Sequence, residues 1–252
     1  MYKANRFFTI IIILFISVAI MGSCGGGGGE SSRGGDGGGS GGGTDNTTQY
    51  FPAIYSTYKV KTQAKSTITI GGNTSTVSST IYQWVNGEEN ISGVNCKKVY
   101  TSDNDFYQTY KSSNDIAYGI SYVAFLNGEM RTYAGDTEMK SGSVSRTYFV
   151  PYSIAYISNM QLGKQYIHHY EVSYGSTILY TIDTIIEMIG YEDVATSFGT
   201  FLNCLKWKMI NIIDGYSQPA VIIWNAKGLG TVKSVTKGTD FETTVEQLST
   251  FY

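Results

Sequence analysis

The sequence predicts an all-β fold: a curved antiparallel sheet or half-barrel made of two weak repeats of several strands each. Three observations carry this. Apolar residues recur mostly with period two after residue 50. Tyr, Thr, Ser and Ile are abundant while the whole chain holds 3 Pro, a composition that suits strands. Turn signals fall at strand-length intervals: Gly71-Gly72-Asn73, Asn86-Gly87, Asn127-Gly128, Ser141-Gly142 and Asp214-Gly215. Asn-Gly and Asp-Gly supply the positive φ of tight hairpins. The nearest thing to a helical stripe, Ser153 to Leu162, is expected to be a turn or short helix.

Strands are expected near 54–63, 65–71, 76–86, 94–102, 105–112, 115–125, 129–134, 144–150, 164–174, 176–189, 200–213, 219–226, 230–236 and 241–248. From Thr177 to Ile189 the pattern is clearest. One face reads Ile178, Tyr180, Ile182, Thr184, Ile186, Met188, and the other mixes Asp183 and Glu187 with apolar residues. Phe201, Leu205, Trp207 and Met209 form a similar stripe, and Ile68, Ile70, Ile81 and Val85 extend it. Either other strands fill the space between these stripes, making an ordinary core, or an open sheet leaves an apolar groove.

The β-rich domain is read as 50–252, with repeat-like halves at about 50–135 and 150–250. Asn95-Cys96 aligns with Asn203-Cys204, an offset of 108 (204 minus 96). Gly119 aligns with Gly228, an offset of 109 (228 minus 119).

The N-terminus has a different character. Lys3 and Arg6 precede an uncharged apolar run from Phe7, which ends in Met21-Gly22-Ser23-Cys24. Its apolar core of about fifteen residues falls short of the roughly twenty that span a bilayer, so 1–23 reads as a secretory signal peptide. Residues 21–24 resemble the lipobox of bacterial lipoproteins, with Met21 where Leu is commonest. That resemblance implies cleavage before Cys24 and a diacylglycerol on its thiol, with palmitate-type chains. It also implies a bacterial cell envelope location, lipid-anchored, at the outer membrane on its periplasmic or surface side. Residues 24–49 then read as anchor cysteine and tether. Gly25 to Gly43 is almost all glycine, which cannot bury apolar surface and is expected to stay flexible.

Leu162-Gly163-Lys164-Gln165-Tyr166, Gly190 to Val194, Phe198-Gly199-Thr200-Phe201 and Trp224 to Lys233 (WNAKGLGTVK) resemble a motif series of uncharacterised bacterial envelope lipoproteins. The series is similar to half-barrel lipoprotein carriers of the LolA and LolB type. The resemblance implies a curved sheet and a carrier or assembly role, and it assigns no catalytic residues. By their own chemistry, Gly228-Leu229-Gly230 read as a bulge or tight reversal rather than a phosphate loop.

Candidate chemistry is sparse. With 18 Lys+Arg against 20 Asp+Glu and no basic stripe, nucleic acid is not an expected partner. His168 and His169 are adjacent and point to opposite faces of a strand. Asp103-Asn104-Asp105 lacks the ligand series of a calcium loop. Glu88-Glu89 and Glu192-Asp193 sit beside turns. No nucleophile elbow is present. The chain is expected to be no enzyme, with no catalytic residues, metal or cofactor. Cys96 and Cys204 form an even pair in an oxidising compartment, but the repeat sets them on equivalent strands, which favours no bond. Tyr148, Tyr152, Tyr156, Tyr166, Tyr170, Tyr174 and Tyr180 crowd one third of the chain. They suit a half-wet sheet face, or a recognition surface.

The expected role is a lipid-anchored, non-enzymatic binding, carrier or envelope-assembly protein. Its partners would be the membrane through Cys24 and an apolar ligand or envelope protein. The alternative is a surface adhesin or glycan-binding module. The sequence names no ligand-binding residues.

Overall fold

A computed structural model describes residues 47–51, 54, 57–103, 116–139 and 144–252. The stretch read as signal peptide, Cys24, the stretch read as tether as far as residue 46, the strand expected at 105–112, Asn104 and Asp105, and the turn expected at Ser141-Gly142 lie outside the described residues.

The body is a meander of antiparallel strands. A first run comprises β1 (Lys59–Ile70), β2 (Asn73–Ile91), β3 (Val94–Ser102), β4 (Ile116–Leu126), β5 (Glu129–Met139) and β6 (Val144–Ile157). A second comprises β7 (Gln165–Tyr174), β8 (Thr177–Thr196), β9 (Gly199–Ile213), β10 (Tyr216–Ser217), β11 (Val221–Ala226), β12 (Gly230–Lys237) and β13 (Phe241–Phe251). Two differences from the sequence reading are local. The stretches at 54–63 and 65–71 merge into β1. Ser153 to Ile157 continues β6 instead of coiling. Ile154, Ala155, Tyr156 and Ile157 are all buried, so this run has no alternation to reveal its period.

The sheet closes on itself. β13 pairs with β1 from Val60–Phe251 to Ile70–Phe241, and β9 pairs with β8 on one side and β11 on the other. Of thirteen strands, β10 pairs only with β9, leaving a twelve-strand ring. This corrects the open half-barrel. Period two says which face of a strand is apolar but not which strand lies beside it. The closing contact joins distant chain segments, as in the Thr62–Ser249 hydroxyl hydrogen bond of 2.9 Å. Closure also removes the unpaired edges that an open sheet would expose.

The interior is packed. Val60, Val99, Val123, Met130, Ile186, Met188, Leu205, Trp207, Met209 and Ile223 form one core, all at most 3% exposed. Tyr170, Val172 and Ile182 form a smaller one with Phe149, Tyr180 and Ile213. The stripes on β8 and β9 therefore meet as an ordinary core, not an open groove. Ile178 and Ile70, at strand ends, are 55% and 57% exposed and lie outside it.

The ring divides into two six-strand halves, 59–157 and 165–251, with β10 an addition to the second. In each half the second strand is long, 19 residues in β2 and 20 in β8. Each bends where the ladder slips, between Val85 and Glu88 and between Met188 and Gly190. Gly87 (φ 83) and Gly190 (φ 152) carry the bends. Beyond them, Cys96 faces Glu89 and Cys204 faces Glu192 in register. The Asn-Cys alignment seen in the sequence is thus also a structural one.

Candidate functional site

One mouth of the barrel is stoppered by the chain's own N-terminal segment. Thr47–Tyr50 makes a single 3₁₀ turn, and Thr47, Tyr50 and Phe51 are 0%, 1% and 6% exposed. Thr47 to Gln49, inside the stretch read as tether, thus belong to the packed body among the described residues. The plug is held by backbone and side chain alike. The Met160 N–H donates to Thr47 Oγ1 (3.3 Å), the Gly228 N–H to the Gln49 carbonyl (3.0 Å), and Asn225 Nδ2 to the Tyr50 carbonyl (3.1 Å). Phe51 stacks on Tyr156 (4.3 Å) and meets the edge of Trp207 (6.0 Å). Trp207 Nε1 donates to Asn225 Oδ1 (3.2 Å), so the residue that grips the plug is itself fixed by the core. The WNAKGLGTVK segment contributes Asn225 and Gly228, so its turn serves packing and has a plug as its occupant.

The other singled-out residues are dispersed. His168 and His169 do take opposite faces. His168 Nε2 contacts the Tyr152 carbonyl and its ring stacks on Tyr152, while exposed His169 pairs with Asp183 at 2.7 Å. Cys96 and Cys204 are free and fully buried in separate clusters. Burial pushes both thiols up to about 11, where they are poor nucleophiles. Glu88 pairs with Lys97 at 3.1 Å and Glu192 with Lys206 at 3.1 Å.

The tyrosines do not form one surface. Tyr156 lies in the main core and Tyr170 in the smaller one, whereas Tyr174 is exposed. Tyr148 and Tyr152 line a cleft of about 340 Å³ with Ser92, Tyr133, Phe149, Val150 and Pro151. The cleft exists because β6 bulges: Thr132 faces Ser153 and Ala134 faces Tyr148, leaving 149–152 opposite Tyr133 alone. Tyr152 already carries Arg131 over its ring (4.2 Å) and His168 stacked on it (4.5 Å), so its faces are engaged.

A polar network missed by the sequence reading ties the bent β2–β3 hairpin to β4–β6. Arg146 donates through Nε and Nη2 to Asp136 (2.6 and 2.7 Å), through Nη1 to Glu89 (2.6 Å), and also to the Tyr122 hydroxyl. Tyr122 donates to Asp136 (2.7 Å). Burial, then Asp136, raises the Tyr122 pKa, and the Arg146 hydrogen bond holds Glu89 below its ordinary value. Every member is satisfied, which marks a fastening rather than a reactive centre. Nothing in the spacing of 89, 122, 136 and 146 signals it, because it is assembled by register from four strands, β2, β4, β5 and β6.

No protein-family model and no curated protein sequence matches the chain. Three solved structures are similar to the chain at low identity. A candidate lipoprotein from Parabacteroides distasonis is 14% identical, covering 77% of this chain and 95% of its own, with a TM-score of 0.42. The hypothetical lipoprotein YmcC from Escherichia coli is 10% identical over 73% and 86%, with a TM-score of 0.31. The ywiB protein from Bacillus subtilis is 11% identical over 79% and 96%, with a TM-score of 0.23.

Proposed function

We propose that this is a lipid-anchored envelope protein: exported by 1–23, acylated at Cys24, and carrying a stoppered β-barrel with a non-enzymatic role in recognition or envelope assembly. The observation that supports it is the order of features at the N-terminus. A basic start, an uncharged apolar run and a small-residue site end in Cys24, with a glycine tract from Gly25 and then the β-rich body, which Thr47–Tyr50 already packs against. A single-turn plug directly after such a tract suits a barrel held close to its anchor. The filled interior argues against an acyl carrier of the half-barrel kind, since Ile186, Met188, Leu205 and Trp207 have no free face to offer. The cleft at Tyr148 keeps a second reading alive, glycan recognition, because it is small, uncharged in its lining and rich in tyrosine.

Fractionation of cells expressing the full chain tests the anchor. The wild type should sediment with membranes, and Cys24→Ala should be soluble or remain uncleaved, because without the acyl chains little holds it there. A correctly cleaved Cys24→Ala protein that stays in the membrane pellet would contradict the proposal.

A further inference from the structure

We infer that the stoppered mouth is also the membrane-facing end, and that an exposed apolar rim around it rests on the lipid bilayer to which the chain is anchored. The inference builds on lipid anchoring at Cys24. The rim is made by strand ends and connections around the plug: Phe125 and Leu126 at the end of β4, Leu162 after β6, Tyr191 on β8, Leu202 on β9, and Tyr252 after β13. Phe125, Leu162, Leu202 and Tyr252 are 55%, 65%, 70% and 67% exposed. Each belongs to the mouth by a traceable contact. Phe125 lies 6.2 Å from Tyr156, which stacks on Phe51. Leu162 bridges to Met188, and the Tyr191 ring is 5.5 Å from the Tyr50 ring. Leu202 adjoins Asn203, whose Nδ2 reaches the Tyr50 hydroxyl at 3.4 Å. The Tyr252 N–H donates to the carbonyl of Lys59, where the barrel begins.

Chain length selects the occupant. The lipid-bearing Cys24 and Thr47 are separated by 22 residues (25 to 46), most of them glycine. A random coil of that length has a typical reach of roughly 25 Å. The opposite mouth lies at the far end of β1, 12 residues away, which is roughly 40 Å along the strand. At its typical reach the tether therefore holds the stoppered mouth near the bilayer surface, whereas bringing the opposite mouth there would require stretching it well beyond that reach. The opposite end also exposes apolar residues, among them Ile70, Val144, Ile178 and Tyr216, so it is the tether, and not apolarity alone, that selects the ring around the plug as the interfacial contact. Lys164 and Lys227 lie on this rim, and so do Glu192 and Asp193, all exposed. Their charges offset, so the contact is apolar in origin and should persist at high salt.

The full mature lipoprotein, reconstituted through its own lipid into phosphatidylethanolamine–phosphatidylglycerol vesicles, tests this. A polarity-sensitive fluorophore is attached at Leu162→Cys or Leu202→Cys on the rim, or at Ile178→Cys at the far end. Cys96 and Cys204 are fully buried and resist labelling, and the Cys24 thiol is acylated. Spin-labelled lipid should quench the two rim positions several-fold more than Ile178→Cys, with and without added salt. Vesicles that float with the protein while rim and far-end labels are quenched alike overturn the rim contact and leave the anchor intact. Protein that fails to float at all overturns the anchor and the rim together.

Discussion

Phe51→Ala probes whether the plug is part of the fold or an appendage. Phe51 is 6% exposed, stacked on Tyr156 at 4.3 Å and 11°, and edge-on to Trp207 at 6.0 Å. Removing the ring forfeits about 2 kcal/mol of transfer free energy. Each aromatic contact adds about 0.5–1.5 kcal/mol. The sum, about 3–5 kcal/mol, matches the range for Phe→Ala in protein cores. Urea unfolding followed by tryptophan fluorescence reads this directly, since Trp207 lies against the deleted ring. Phe125→Ala, at a 55% exposed position, should change stability by less than about 0.5 kcal/mol. If Phe51→Ala were as mild as Phe125→Ala, the plug would contribute nothing to the barrel, and the reasoning from burial and stacking would fail.

Other outcomes follow from the same geometry. Ile182→Ala, at 2% exposure, should cost about 2–5 kcal/mol and Ile178→Ala almost nothing; equal effects would contradict the packed interior. Arg146→Ala strands Asp136, which is 7% exposed, and should cost about 2–3 kcal/mol after allowance for the partial exposure of Arg146. Arg146→Lys should not rescue it, because a lysine cannot reproduce the forked contact; full rescue would show that charge alone matters. Glu89 is held below its ordinary 4.5 by Arg146. For Glu192, burial pushes up, but hydrogen bonds from Trp224 and Lys206 leave it below 4.5 as well. A depressed folded-state pKa means this stability is present above about pH 4.5 and is lost as pH falls through the lower values. Glu89→Gln with Glu192→Gln should therefore flatten the acid side of the stability–pH curve, and an unchanged slope would count against it. Alkylation of denatured, unreduced protein should label both Cys96 and Cys204; absence of label would reveal a disulfide.

Much of the barrel could be read from the sequence because its strands obey period two. β3, β7, β9 and β12 fall within a residue or so of their expected bounds, and Asn127-Gly128 does turn β4 into β5. What could not be read is lateral. The β1–β13 pairing that closes the ring leaves no local trace, and neither does the four-strand reach of Arg146 to Glu89. The first part of β6 was expected at 144–150, but its second part hid behind four consecutive buried residues, 154 to 157. The plug was invisible because Thr-Thr-Gln-Tyr has no periodicity, and only the aromatic pair Tyr50-Phe51 at the end of a glycine tract hinted at a buried anchor point. The tyrosine cluster left two readings open, a half-wet sheet face or a recognition surface. Tyr148 to Tyr180 lie on three strands, β6, β7 and β8, and scatter between core, cleft and surface, so crowding in sequence did not become a surface in space.

The central claim is that Cys24 is the acylated first residue of the mature protein. Intact-mass and N-terminal peptide mass spectrometry of the membrane-extracted chain tests it most directly. The account predicts a polypeptide beginning at Cys24 with a diacylglycerol thioether on its sulfur and no residue from 1–23. A mature chain that retains Met21-Gly22-Ser23, or that begins at Cys24 with a free thiol, would contradict it.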